Sequence, residues 1–76
     1  MKAVVHIGLK PGVLDPQGRA VQKSLHDLGF GEVEDVRMGK VVRLELGESS
    51  EERVRDMCEK LLANTVIESY RIEVKG

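Results

Sequence analysis

The sequence contains no tryptophan, a single phenylalanine, a single tyrosine and a single cysteine. Any hydrophobic core must therefore be built from aliphatic side chains. Cys58 has no partner for an internal disulfide, and no Cys-x-x-Cys pair exists, so the copper-chaperone type of metal site is ruled out. A lone thiol also fits a reducing, cytoplasmic setting. Excess charge of one sign is absent too: 12 Lys and Arg stand against 13 Asp and Glu, giving a formal charge of −1. That balance argues against a nucleic-acid or anionic-membrane binder, which needs a basic surface to neutralise phosphates. No apolar run approaches membrane-spanning length, and Met1-Lys2 leads straight into a strand pattern with no signal-peptide character. Low-complexity tracts and linkers are missing, so the expectation is one domain over residues 1–76. At 76 residues such a domain has little interior, and without metal or disulfide it must gain stability by association.

Regular periodicity is what the chain does contain. Residues 3–9 alternate, with Ala3, Val5, Ile7 and Leu9 on one side and Val4, His6 and Gly8 on the other, which predicts a half-buried strand. Lys10-Pro11-Gly12 breaks it. Asp15-Pro16 reads as a helix cap and first position, and Val21, Leu25 and Leu28 form the apolar stripe of a helix over 15–28. Gly29 is placed as its left-handed terminator, with Phe30 able to pack back on the last turn. Two short strands are expected at 33–38 and 40–46, joined by a tight turn at Met38-Gly39, with a bulge near Glu34-Asp35. Ser49 and Glu52 have capping-box spacing. Val54, Met57, Cys58, Leu61 and Leu62 then recur as one helical face, Asn64 terminates it, and a last strand carries Tyr70, Ile72 and Val74 on one side. The order β-α-β-β-α-β predicts an α+β, ferredoxin-like sandwich: a four-stranded antiparallel sheet with two helices on one face. In that topology the first and third strands are central, and Val4, His6, Val41 and Arg43 face outward.

The residues capable of chemistry are few. His6 and His26 lack neighbours at metal-ligand spacing, and Cys58 on the apolar stripe reads as a small core residue. No catalytic, cofactor-binding or metal-binding residue is assigned. Gly8, Gly12 and Gly18 match neither a dinucleotide nor a P-loop spacing. Gly18, inside a first helical turn, is explained equally by a close approach of another backbone and by simple tolerance. Arg37-Met38-Gly39-Lys40 is either a solvated turn or a docking finger for carboxylates or phosphate. Val66 and Ile67, apolar for a connector, either finish the core or form a contact patch.

Two stretches carry a resemblance. Val13-Leu14-Asp15-Pro16-Gln17-Gly18, followed by Ala20-Val21 and Leu25, resembles the opening motif of the PurS family. Met57 to Glu68, then Tyr70, resembles its closing motif, and Val36-Arg37-Met38-Gly39-Lys40 its hairpin. Together these span nearly the whole chain. The resemblance implies the small, non-catalytic subunit of phosphoribosylformylglycinamidine synthase, acting in de novo purine biosynthesis. Such a complex uses ATP, Mg and glutamine, and makes formylglycinamidine ribonucleotide from formylglycinamide ribonucleotide. The implied partners are a glutaminase subunit that releases ammonia and a large synthetase subunit that consumes it. The small subunit bridges them as a homodimer, or as a tetramer when isolated, and assists ammonia transfer. Its candidate docking surfaces are the Asp15-Pro16-Gln17-Gly18 junction, the hairpin with Arg37, Gly39 and Lys40, and the connector with Asn64, Val66, Ile67, Glu68 and Tyr70. No cofactor, nucleic acid or membrane is expected on this chain itself.

Other classes compete. A regulatory module binding an amino acid at a dimer interface could use Gly8, Pro11-Gly12 and the start of helix 15–28. An acylphosphatase-like enzyme lacks its phosphate-cradling arginine loop here. An RNA-binding sheet lacks the aromatic platform, since Tyr70 is the one strand aromatic.

Overall fold

The computed structural model describes residues 1–75. Three strands, β1 (Lys2–Leu9), β2 (Gly39–Glu45) and β3 (Glu68–Lys75), form an antiparallel sheet in the order β2-β1-β3. Helix α1 (Pro16–Asp27) follows β1, and helix α2 (Glu51–Met57) runs into a π-helical turn, Cys58–Leu62, before β3. The alternation expected for the first strand is realised. Ala3, Val5 and Ile7 are buried on the inner face, with Val54, Cys58 and Ala63 packed over them. Val42, Leu44, Ile72 and the one aromatic, Tyr70, complete this core from the flanking strands.

The four-stranded ferredoxin-like sheet is corrected to a three-stranded one. Residues 33–38 form no strand, because their backbone groups are taken by other partners. Gln22 Nε2 donates to the Glu34 carbonyl at 3.0 Å and His26 Nε2 bonds the Val33 carbonyl at 2.7 Å. The Met38 amide donates to Asp15 Oδ2 at 2.7 Å. The segment therefore runs beside α1 and not along a sheet edge. Since it supplies no outer strand, β2 becomes an edge and only β1 is central. The tight turn placed at Met38-Gly39 is likewise absent, and Gly39 opens β2.

Neither do both helices cover the sheet. α2 lies against it, whereas α1 contributes only Gly18 to the buried residues and packs on no strand beyond marginal contact. α1 and residues 30–38 instead form an arm. The principal extents are 48 × 26 × 14 Å and the radius of gyration is 15.6 Å. A globular chain of this length has a radius of gyration of about 11 Å.

Local capping explains where the helices begin and end. Asp15 caps α1 by accepting from the Gly18 amide at 2.8 Å, with Pro16 at the first position. At the other end Gly29 adopts φ 99°. Its amide donates to the His26 carbonyl and that of Phe30 to the Leu25 carbonyl, at 3.0 and 2.9 Å, a Schellman closure. Phe30 remains half exposed. The cap of α2 is shifted by one residue from the expected Ser49–Glu52 box, with Ser50 accepting from the Arg53 amide at 3.2 Å. The π turn, closed by Ala63 N–H to the Cys58 carbonyl, adds a residue to the last turn. That extra residue rotates Leu61 off the apolar face, and Leu61 is 83% exposed.

Candidate docking surface

The three sequence-distant stretches singled out as docking candidates meet where the arm joins the sheet. Asp15 is central to this junction. It is buried, and its two carboxylate oxygens accept from Gly18 in the helix and Met38 in the return segment. These two amide bonds, Met38's foremost, with the nearby Arg37 charge, hold its carboxyl below the usual carboxylate range despite burial. Gly18 is required by close approach: a Cβ there would lie 2.3 Å from the Val36 carbonyl oxygen. Of the two explanations open from sequence, the backbone contact is the one realised. Gly39 is equally constrained, with a Cβ falling 2.6 Å from the Ile7 carbonyl oxygen.

Arg37, exposed, reaches back along the surface to the loop after β1. Its Nη1 donates to the Val13 carbonyl at 2.8 Å and its Nη2 to the Lys10 carbonyl at 3.1 Å. The guanidinium thus fastens the return segment to the loop after β1 while remaining exposed. Lys40 is exposed on β2. Beside it, Asp15, Gln17, Gly39 and Glu68 line a shallow cavity of about 230 Å³ with the end of β1. Opening junction, hairpin segment and connector each contribute to this one concavity. Pro16 is exposed at its margin.

The connector is a hydrogen-bonded knot. Asn64 donates its amide to Glu68 Oε1 at 2.7 Å, its side chain accepts from the Val66 amide, and its carbonyl accepts from Ile67 and Glu68. Lys10 reaches across to it, its Nζ donating to the Thr65 carbonyl at 2.7 Å. This pins the turn so that Val66 projects outward, 81% exposed. Val66 does not finish the core, and Ile67 is at the boundary of exposure. Tyr70 lies on the inner face beside Glu59, which raises its phenol above the ordinary value. Cys58 is fully buried, and burial pushes its thiol up, away from nucleophilic use.

Two features were missed in the sequence. The open face carries a cluster in which His6 Nε2 and Arg71 Nη1 both reach Glu73 Oε1, at 2.6 and 2.9 Å. Strand alternation places all three on that face, but only the register, His6 opposite Arg71 and Val4 opposite Glu73, makes them neighbours. The second is the arm's apolar surface, where Leu14 and Leu28 are 74% and 72% exposed. The helical stripe was legible, but nothing in it says that the sheet lies elsewhere. Among the described residues no group of three or more His, Cys, Asp or Glu gathers at metal-binding geometry.

The comparisons with known proteins fit this chain from end to end. The family model for PurS, phosphoribosylformylglycinamidine (FGAM) synthase, matches residues 2–76. The FGAM synthase subunit PurS of Bacillus subtilis is 53% identical over 97% of this chain and 92% of its own length. That of Methanocaldococcus jannaschii is 45% identical over 97% and 94%. A crystal structure of B. subtilis PurS superposes with a TM-score of 0.92 at 52% identity, covering 99% of this chain and 98% of that one. A structure of PurLQS from Thermotoga maritima contains a chain that superposes with a TM-score of 0.82 at 29% identity, covering 95% and 93%. The chain belongs to the PurS family.

Proposed function

We propose that this chain works as the small, non-catalytic subunit of FGAM synthase, bridging the glutaminase and the large synthetase and assisting the passage of ammonia between them. The observation that carries the reading is the match to PurS over residues 2–76, with 92% of the length of the Bacillus subtilis relative covered. The physical character of the molecule agrees with it. Its one thiol is buried and its buried carboxylate, Asp15, caps a helix, which suits a protein that acts through its surfaces.

The partners are the glutaminase and the synthetase, where ATP, Mg and glutamine are consumed. The chain itself works as a homodimer in the cytoplasm. Self-association is supported by the shape: an arm with exposed Leu14 and Leu28, a sheet half covered, and a radius of gyration well above that of a globule. No helix is long and apolar enough to cross a membrane among the described residues. Docking through the junction cavity uses Gln17, Lys40 and Glu68 as its exposed or half-exposed polar groups.

The mechanism is exclusion and positioning. Ammonia released into water is diluted and protonated, whereas a bridge sealing two active sites keeps it concentrated and neutral. Reconstituting the synthase with and without this chain tests this. Omission is expected to abolish glutamine-driven turnover while turnover on a high concentration of ammonium persists. Equal loss of both activities would replace ammonia transfer by a direct structural role in the synthetase site.

A further inference from the structure

Helix α1 and the return segment form one body. Gln22 Nε2 donates to the Glu34 carbonyl, His26 Nε2 bonds the Val33 carbonyl, and the two backbones touch where Gly18 faces the Val36 carbonyl oxygen. This arm meets no strand beyond marginal contact. Its root is open on both counts of packing: cavities of about 230 and 560 Å³ lie there, and Gly8, Leu9, Met38 and Gly39 line both. Close packing transmits position because it leaves no room to move, and here that room exists. The angle between arm and sheet is therefore set by hydrogen bonds at the root. Asp15 supplies one tie, to the Met38 amide beside β2. The other ties run through Lys10.

Lys10 is the crossing point. Its amide donates to the Ile67 carbonyl at 2.8 Å and its Nζ to the Thr65 carbonyl at 2.7 Å, so both ends of the residue are fixed to the connector. Its own carbonyl accepts from Arg37 Nη2 at 3.1 Å and from the Val13 amide at 3.2 Å. Arg37 Nη1 holds the Val13 carbonyl at 2.8 Å. A relay of hydrogen bonds thus runs from the return segment through Arg37 and Lys10 to Thr65 and Ile67. Its far end is firm, because Asn64 and Glu68 close the connector turn on itself. Neither Lys10 nor Arg37 belongs to the core, so packing does not account for these bonds. The planar fork of an arginine, which serves two carbonyls at once, is a geometry that a lysine's point charge does not reproduce. The relay joins the opening junction, the hairpin segment and the connector, the same three stretches that meet at the junction cavity. A surface held beforehand in its docking geometry binds more tightly, because less order is lost on binding.

We propose that Lys10 and Arg37 are positioning residues: they hold the arm at one angle to the connector and so present the three docking stretches to the larger subunits as a single surface. This deepens the bridging reading and rests on it. The test uses the full-length chain with Cys58→Ser, and with Glu32→Cys on the arm and Lys60→Cys on the body, both exposed, carrying spin labels. Dilution into unlabelled chain restricts the measured distances to one copy. A narrow distance distribution is expected. Lys10→Met and Arg37→Gln are each expected to broaden it with circular dichroism retained, whereas Lys10→Arg, which keeps a donor for the Thr65 carbonyl, is expected to leave it narrow. The same variants without labels are then titrated into the glutaminase and synthetase. If the docking angle is populated about a tenth of the time, apparent affinity falls about tenfold. The concentration of Lys10→Met that gives half-maximal glutamine-driven turnover is therefore expected to rise about tenfold, with the plateau at excess chain retained. Lys10→Arg is expected to restore the wild-type concentration. A raised concentration with an unbroadened distance means direct contact with a partner and overturns the positioning role, as does a broadened distance with an unchanged titration. A wild-type chain that supports no glutamine-driven turnover overturns the bridging reading, and the distances then decide the relay alone.

Discussion

Asp15 and Gly18 stand one helical turn apart and together hold the arm to the sheet. Gly18 gives the plainest prediction. Adding one methyl group there drives a Cβ to 2.3 Å from the Val36 carbonyl oxygen and 2.9 Å from the Asp15 carboxylate. Gly18→Ala is expected to destabilise the chain by about 1–3 kcal/mol in denaturant unfolding. Gly31→Ala, with nothing within 4 Å, is the control. Asp15 governs the acid limb. Its folded-state carboxyl is held below its ordinary value by the amides of Met38 and Gly18. A depressed carboxylate contributes stability that is present above its unfolded pKa and is lost as pH falls through the folded one. Stability should therefore fall on acidification below about pH 4. In Asp15→Asn the acid limb should be shallower and the whole profile lower, as followed by thermal melts across pH. Glu73, also depressed by Arg71 and His6, acts in the same direction from the open face.

At the scale of elements, legibility followed the source of each element's hydrogen bonds. β1 and α2 were readable because their own periodicity decides which side is buried, and Val5, Ile7, Val54 and Cys58 occupy the core as the alternation and stripe require. Residues 33–38 were not readable as a coil. Val33, Val36 and Met38 look like a weak strand, yet Gln22, His26 and Asp15 satisfy that backbone from a distance in sequence. A side chain that replaces a neighbouring strand leaves no local signature. The π turn escaped for a related reason: Leu61 continues the stripe, and only the Ala63-to-Cys58 closure shows that it has left it. The docking candidates were found as three separate stretches. Their convergence on one cavity needed the arm's placement, and so did the bonds of Arg37 to the loop after β1. Val54 provides the element-scale test. It is wholly buried where α2 meets the sheet, and Val54→Ala is expected to cost about 1.5–3 kcal/mol through lost burial and the cavity left behind. Leu61→Ala in the π turn should change stability by less than about 0.5 kcal/mol.

The whole molecule is a small sheet with a long arm. A radius of gyration of 15.6 Å in a 76-residue chain means that α1 stands beside the core and not on it. Its apolar stripe ends in Leu28, 72% exposed, next to Phe30, 50% exposed. Inside one chain Leu28 is mostly uncovered and Phe30 half covered, so the Leu28→Asp, Phe30→Ser variant should keep its secondary structure and most of its unfolding free energy. On the proposed bridging role, the same two side chains face a partner surface in the assembled synthase. Glutamine-driven turnover is then expected to fall tenfold or more, while turnover on ammonium is retained. The pair of measurements separates the roles, since a fold defect lowers the melting temperature of the isolated chain before any partner is added. An arm that tolerates both substitutions with full glutamine-driven activity is a solvated extension, and the bridging contacts must then come from the junction cavity and the strand edges alone.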